Sequence, residues 1–114
     1  MIVPPTLPTM PKSAQPKVFS HTGAIDLHVS PEVRAALREI IDAKPKRLVV
    51  DLSQVPYVDS SGLAVLIGAK QELEAEGGTF MLAAPQQAVR TILESARLDQ
   101  YFKLVADVEA AGAR

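Results

Sequence analysis

Asp59-Ser60-Ser61-Gly62 sets a carboxylate, two hydroxyls and a glycine in succession, directly ahead of an apolar-periodic run that opens at Leu63. Residues of these types at the start of a helix can do a particular kind of chemistry. The first turn leaves about four backbone N–H groups without partners, and the helix dipole makes that end positive. Ser60 is placed to cap those donors, and Gly62 lets another group approach the backbone closely. A phosphoryl group on either Ser60 or Ser61 would find N–H groups directed at it. The same four residues are also an ordinary helix cap, and taken alone they leave both readings open.

Other chemistries find less support. A serine hydrolase needs a Gly-x-Ser-x-Gly elbow with an imidazole base and an orienting acid, and there is no such elbow. The two histidines, His21 and His28, both fall near an N-terminal strand and turn, and a spacing of seven is not a helical metal pair. Asp51, at the end of an apolar strand, suggests a phospho-aspartate receiver, but no adjacent carboxylate pair precedes it. Cysteine is absent, which removes disulfides, thiolate metal sites, iron–sulfur clusters and thiol nucleophiles. The sequence therefore assigns no catalytic residue, no metal and no cofactor. With 12 Lys plus Arg against 13 Asp plus Glu there is no basic excess of the kind that nucleic-acid binders carry. No apolar run approaches the length of a membrane span, and the N-terminus lacks the pattern of a signal peptide, so a reducing cytoplasm is the expected location.

The elements that must position this segment can be read from periodicity. Five of the nine prolines lie in residues 1–16, which excludes a helix or central strand there and predicts an extended N-terminal arm. Residues 17–114 then form one domain. Lys17 to Thr22 is a short strand, and Ile25 to Val29 a bend containing Asp26. Ser30-Pro31-Glu32 opens a helix, with Ser30 as N-cap and Pro31 at the first helical position; Val33, Leu37, Ile40 and Ile41 form its apolar face. Lys44-Pro45 ends it. Arg47 to Leu52 contains three consecutive apolar residues, the mark of a strand covered on both faces. After the connector Gln54 to Asp59, a helix runs from Ser60 or Ser61 to about Glu76, stopped by Gly77-Gly78. Thr79 to Ala83 is a strand, Pro85 starts a third helix with Val89, Ile92 and Leu93 in register, Leu104-Val105 is a last strand, and Val108 to Ala111 begins a truncated fourth helix. Alternation of strand and helix implies an α/β domain with a mostly parallel sheet of about four strands and three to four helices.

The run Arg47 to Ser53, then Val55, Tyr57 to Leu63 and Gly77-Gly78 resembles the STAS domain family, and within it the stand-alone anti-sigma factor antagonists of bacteria. Gly23-Ala24-Ile25-Asp26 is similar to the family's turn before its first helix, with Ala24 in place of the usual glutamate. The segment Ala84 to Arg90 and the Ala96-Arg97-Leu98 exit are similar to the third helix. The resemblance implies a STAS-type fold and a binding protein, not an enzyme. It implies phosphorylation of Ser60, with Ser61 as the neighbouring alternative. It implies a partner surface made of Asp26, Asp59, Ser60, Ser61, Gly62, Leu63 and Ala64, in which Asp59 holds the loop and orients the hydroxyl. The implied partners are an anti-sigma factor that is itself a GHKL-type serine kinase, and a serine phosphatase. The unphosphorylated form would bind the anti-sigma factor and free a sigma factor. A STAS subunit of a lipid-transport ABC complex, or a stress-signalling scaffold, is the alternative role the family offers. The family's first strand falls on the Pro-rich arm, and an uncovered sheet edge there would allow a homodimer.

Overall fold

Leu48, Val49 and Val50 are completely buried, and their alternation shows how the chain is layered. The computed structural model describes residues 15–112. Four strands, β1 (Lys17–Ser20), β2 (Arg47–Asp51), β3 (Thr79–Ala83) and β4 (Lys103–Val105), form one sheet in the order β1-β2-β3-β4. Every pair is parallel. The crossovers are α1 (Ser30–Asp42), α2 (Ser60–Ala75) and α3 (Gln87–Ser95). Sequential parallel strands joined by right-handed crossovers put successive helices on the same side of a sheet. Leu48, Val50, Phe80 and Leu82 accordingly share one core with Val33, Leu37 and Ile41 of α1, Val65, Leu66 and Leu73 of α2, and Val89 and Leu93 of α3.

The opposite side of the sheet carries Val49, Met81 and Ala83, which pack with Val105, Val108 and Ala111. The C-terminal segment supplies this cover as a single 3-10 turn, Glu109–Ala111, and the Arg47 guanidinium donates to the Ala111 carbonyl at 3.2 Å. The expected truncated fourth helix is thus one short turn. The Pro-rich arm falls almost wholly on residues 1–14, outside the described residues. No described helix is long and apolar enough to cross a membrane.

Several boundaries differ from the sequence reading, among them β2, which ends at Asp51, and β4, which begins at Lys103. Ser30 is the first residue of α1 instead of its cap; Val29 occupies the N-cap with no side-chain bond. Asp26 orders the turn ahead of the helix, its carboxylate accepting from the amides of His28 and Val29, and its carbonyl accepts the first helical amide, that of Ser30. The third helix starts at Gln87, two residues beyond Pro85, and the Gln86 side chain donates instead to the Ser53 carbonyl at 2.9 Å. β1 stops at Ser20, short of Thr22.

The stop signal at Gly77 works as expected. Its amide bonds the Glu74 carbonyl and the Gly78 amide bonds that of Leu73, closing α2 in a left-handed exit at φ +85°. α3 ends in the same pattern, but with Arg97 at φ 60°, where a side chain is strained.

Candidate functional site

The Asp59–Ala64 segment lies at the carboxyl end of the sheet, where the chain leaving β2 meets the chain leaving β1. Ile25 and Val58 form an isolated parallel bridge beyond the strands. The Ile25 amide donates to the Tyr57 carbonyl at 2.9 Å, and the Asp59 amide donates to the Ile25 carbonyl at 3.1 Å. Both bridging side chains are buried, at 0% and 1% exposure, so the loop before α2 is pinned to the core from below.

Asp59 is the N-cap of α2. Its backbone is extended, and Oδ1 accepts from the Gly62 amide at 3.0 Å. The expectation that Ser60 supplies the cap is corrected here. The aspartate stands one residue earlier, at the position from which a short side chain reaches the third helical N–H. The same Oδ1 accepts the Ser61 hydroxyl at 2.6 Å, and Oδ2 accepts the Leu27 amide at 3.0 Å from a loop 32 residues away. The carboxylate therefore ties together the start of α2 and the turn before α1.

These contacts lower the Asp59 pKa from the ordinary aspartate value. The Ser61 hydroxyl contributes most, then the Gly62 amide, with the amides of Leu27 and Ser61 acting in the same sense against the opposing effect of desolvation. A group with a depressed folded pKa stabilises the native state above its unfolded pKa, and that stabilisation is lost as pH falls through the folded pKa. Asp59→Asn will therefore be less stable than the wild type at neutral pH, and the gap will narrow on acidification below the normal carboxylate range. Denaturant midpoints of the two proteins as a function of pH measure this. A gap independent of pH would show that the charge of Asp59 does not matter.

The two serines differ sharply. Ser61 is half-buried, and its hydroxyl is engaged by Asp59. Ser60 is exposed, and its side chain makes no hydrogen bond among the described residues. Asp59 thus ties the loop together through these hydrogen bonds, and the hydroxyl it engages is that of Ser61. Gly62 is buried, and a Cβ there would lie 2.5 Å from the Ile25 carbonyl oxygen. The close approach is made by the protein's own backbone. Leu63 is half-buried and packs against the core, while Ala64 is exposed. Asp26 is half-buried and stays within this neighbourhood, lining an open depression with Leu27, His28 and Asp59.

Two surface residues of this region escape a sequence reading. Leu27, whose amide is held by Asp59, is 73% exposed, and Tyr57, two residues before Asp59 in the chain, is 50% exposed. The only local signal for Leu27 is an apolar residue in a turn, between Asp26 and His28, with no periodic partner.

No group of three or more His, Cys, Asp or Glu side chains among the described residues is arranged to hold a metal ion. What the site offers is an exposed hydroxyl, a rigid backbone and an apolar fringe, which suit contact with another protein.

Known proteins agree with that picture. RsfB of Mycobacterium tuberculosis, an anti-sigma-F factor antagonist, is 29% identical over 94 residues, 82% of this chain and 76% of its own. An anti-sigma factor antagonist from Mycobacterium paratuberculosis, known from its crystal structure, superposes with a TM-score of 0.75 at 32% identity, over 82% of this chain and 80% of that one. The Bacillus cell-fate determinant SpoIIAA, solved in its phosphorylated form, shares the fold with a TM-score of 0.66 at 22% identity, over 90% and 94% of the two chains. The two mycobacterial relatives are named as anti-sigma factor antagonists. The family model for the STAS domain matches residues 8–111, which takes in every strand, helix and loop described above, and the chain belongs to the STAS domain family.

Proposed function

We propose that this chain is a cytoplasmic anti-sigma factor antagonist whose unmodified form binds an anti-sigma factor, releasing a sigma factor, and whose binding is switched off by phosphorylation of Ser60. One observation carries the reading. At the start of α2 there are two adjacent serines, and only Ser60 presents a hydroxyl that is exposed and unengaged. A kinase must approach the oxygen it phosphorylates, and Ser61 would have to give up a 2.6 Å bond to a carboxylate first.

The switch acts on the complex and leaves the fold alone. A phosphoserine carries about −1.5 to −2 charges at neutral pH. At a helix N-terminus an anion gains about 0.3–1 kcal/mol. Asp59, ionised and adjacent, opposes that gain, so the stability of the free domain changes little. Against a partner the balance differs. A kinase holds nucleotide phosphates next to the acceptor hydroxyl, so a phosphoryl group on Ser60 meets charge of its own sign in a desolvated contact.

The test uses the anti-sigma factor kinase of the native host, with ATP and Mg²⁺. Mass spectrometry should place a single acid-stable phosphate on Ser60. Ser60→Ala should abolish the label, and Ser61→Ala should retain it. Label on Ser61, or no label and no binding, overturns the reading.

A further inference from the structure

We infer that Leu27 is the apolar anchor by which the anti-sigma factor grips this face, seated in an apolar pocket of that partner with a basic side chain at its rim. The inference rests on the function proposed above and names the chemistry of its partner. Among the described residues Leu27 is the most exposed of the large hydrophobic side chains, at 73% against 50% for Tyr57 and 40% for Val18 and Tyr101. A lone exposed leucine is commonplace on protein surfaces. This one is distinguished by how firmly its backbone is held.

The Leu27 amide donates to Asp59 Oδ2 at 3.0 Å, and its carbonyl accepts the Ser30 hydroxyl at 3.4 Å. The next two amides, of His28 and Val29, are taken by Asp26 Oδ1 at 3.0 and 3.2 Å. The turn is therefore ordered before any partner arrives. A preordered apolar group loses little further entropy on docking, which is the property of an interface anchor.

Position supplies the occupant. The carboxylate that fixes Leu27 belongs to the residue preceding Ser60 and also binds the Gly62 amide. A protein surface of ordinary interface size, about 800 Å² on each side, cannot cover the Ser60 hydroxyl without covering Leu27. Charge supplies the rim. The depression at Leu27 is lined by Asp26, His28 and Asp59, with two carboxylates and no Lys or Arg. Its complement is an apolar pocket edged by a cation, on the Leu27 side and away from the nucleotide that faces Ser60.

The experiment uses the full chain and the host anti-sigma factor kinase. Affinity is measured by calorimetry, and kcat and KM for phosphorylation by steady-state kinetics. Leu27→Ala and Leu27→Gln should melt within a few degrees of the wild type. Both should bind about 10- to 100-fold more weakly, the loss expected of a buried interface anchor. KM should rise with kcat retained, because Leu27 does not touch the reacting atoms. Tyr101→Ala, at the opposite end of the sheet, should bind within about twofold of the wild type. Wild-type affinity should fall as salt is raised, and Leu27→Ala should keep the same salt slope. Wild-type affinity in both Leu27 variants overturns the anchor and leaves the proposed function standing. A salt-independent affinity overturns the basic rim. If the wild-type chain neither binds the anti-sigma factor nor is phosphorylated by it, the proposed function falls and the anchor falls with it.

Discussion

Gly62→Ala will lower the melting temperature by about 12–24 °C, from a penalty of about 3 kcal/mol at about 4–8 °C per kcal/mol for a domain of this size. The new Cβ would sit 2.5 Å from the Ile25 carbonyl oxygen, 2.7 Å from Val58 Cγ1 and 2.9 Å from Ile25 Cγ2. A flexible side chain could move away; these atoms cannot do so cheaply. The Ile25 carbonyl accepts the Asp59 amide, the Ile25 amide is held by the Tyr57 carbonyl, and the Ile25 and Val58 side chains are buried in the main core. Relief requires the first turn of α2 to lift off the Ile25–Val58 bridge, which opens the Asp59 cap as well. Gly68 is the internal control. It lies in the same helix, and a Cβ built there meets nothing within 4 Å. Gly68→Ala should stabilise the protein by about 0.5–1 kcal/mol, through helix propensity alone. Thermal melts of the two variants decide the matter. Equal and small effects would mean that the close packing of α2 on Ile25 is not what holds the Ser60 loop.

Ser60→Asp will keep its melting temperature within a few degrees and lose at least about 100-fold in affinity for the anti-sigma factor. The first half follows from opposing small effects. A new carboxylate at the first helical position gains about 0.3–1 kcal/mol from the helix dipole. Repulsion from Asp59, one residue away, works against it. The second half follows from burial. Leaving a charge unpaired in an interface costs about 3–5 kcal/mol, and each 1.4 kcal/mol is tenfold in affinity. Phosphorylated protein should show a larger loss, since phosphate carries roughly twice the charge of aspartate. Ser61→Asp provides the contrast. It would put a second carboxylate against Asp59 Oδ1, which now accepts the Ser61 hydroxyl, so the fold suffers before the interface does. Calorimetric titration alongside thermal melts separates the two. Binding by Ser60→Asp at wild-type affinity would remove the basis for a switch at this residue.

Much of the fold was legible because it rests on local rules. Leu48-Val49-Val50 could be read as a strand covered on both sides, since consecutive apolar residues on a two-residue period must bury both faces. The structure sets Leu48 and Val50 against the helices and Val49 against the C-terminal segment. Gly77-Gly78 could be read as a helix stop because glycine reaches positive φ without strain. Arg97 could not, because the same exit occurs there with a residue that resists it, and long-range packing outweighs the local cost. The caps of α1 and α2 were misplaced for a related reason. Ser30 and Ser60 are good capping residues by type, but Asp59 takes the Gly62 amide at the start of α2, and the turn that Asp26 orders ahead of α1 leaves Val29 at the N-cap and Ser30 inside the helix.

The site divides along the same line. The order of residues alone placed an aspartate, two serines and a glycine at a helix N-terminus, because capping chemistry and apolar periodicity are properties of neighbours in the chain. It could not say which serine is free. That depends on a carboxylate whose two oxygens are shared between Ser61, Gly62 and the distant amide of Leu27, and only the folded chain brings that amide within 3.0 Å. The exposure of Leu27 was decided there too: its turn is held outward by Asp26 and Asp59, and burial belongs to the assembled surface, with no local pattern to announce it.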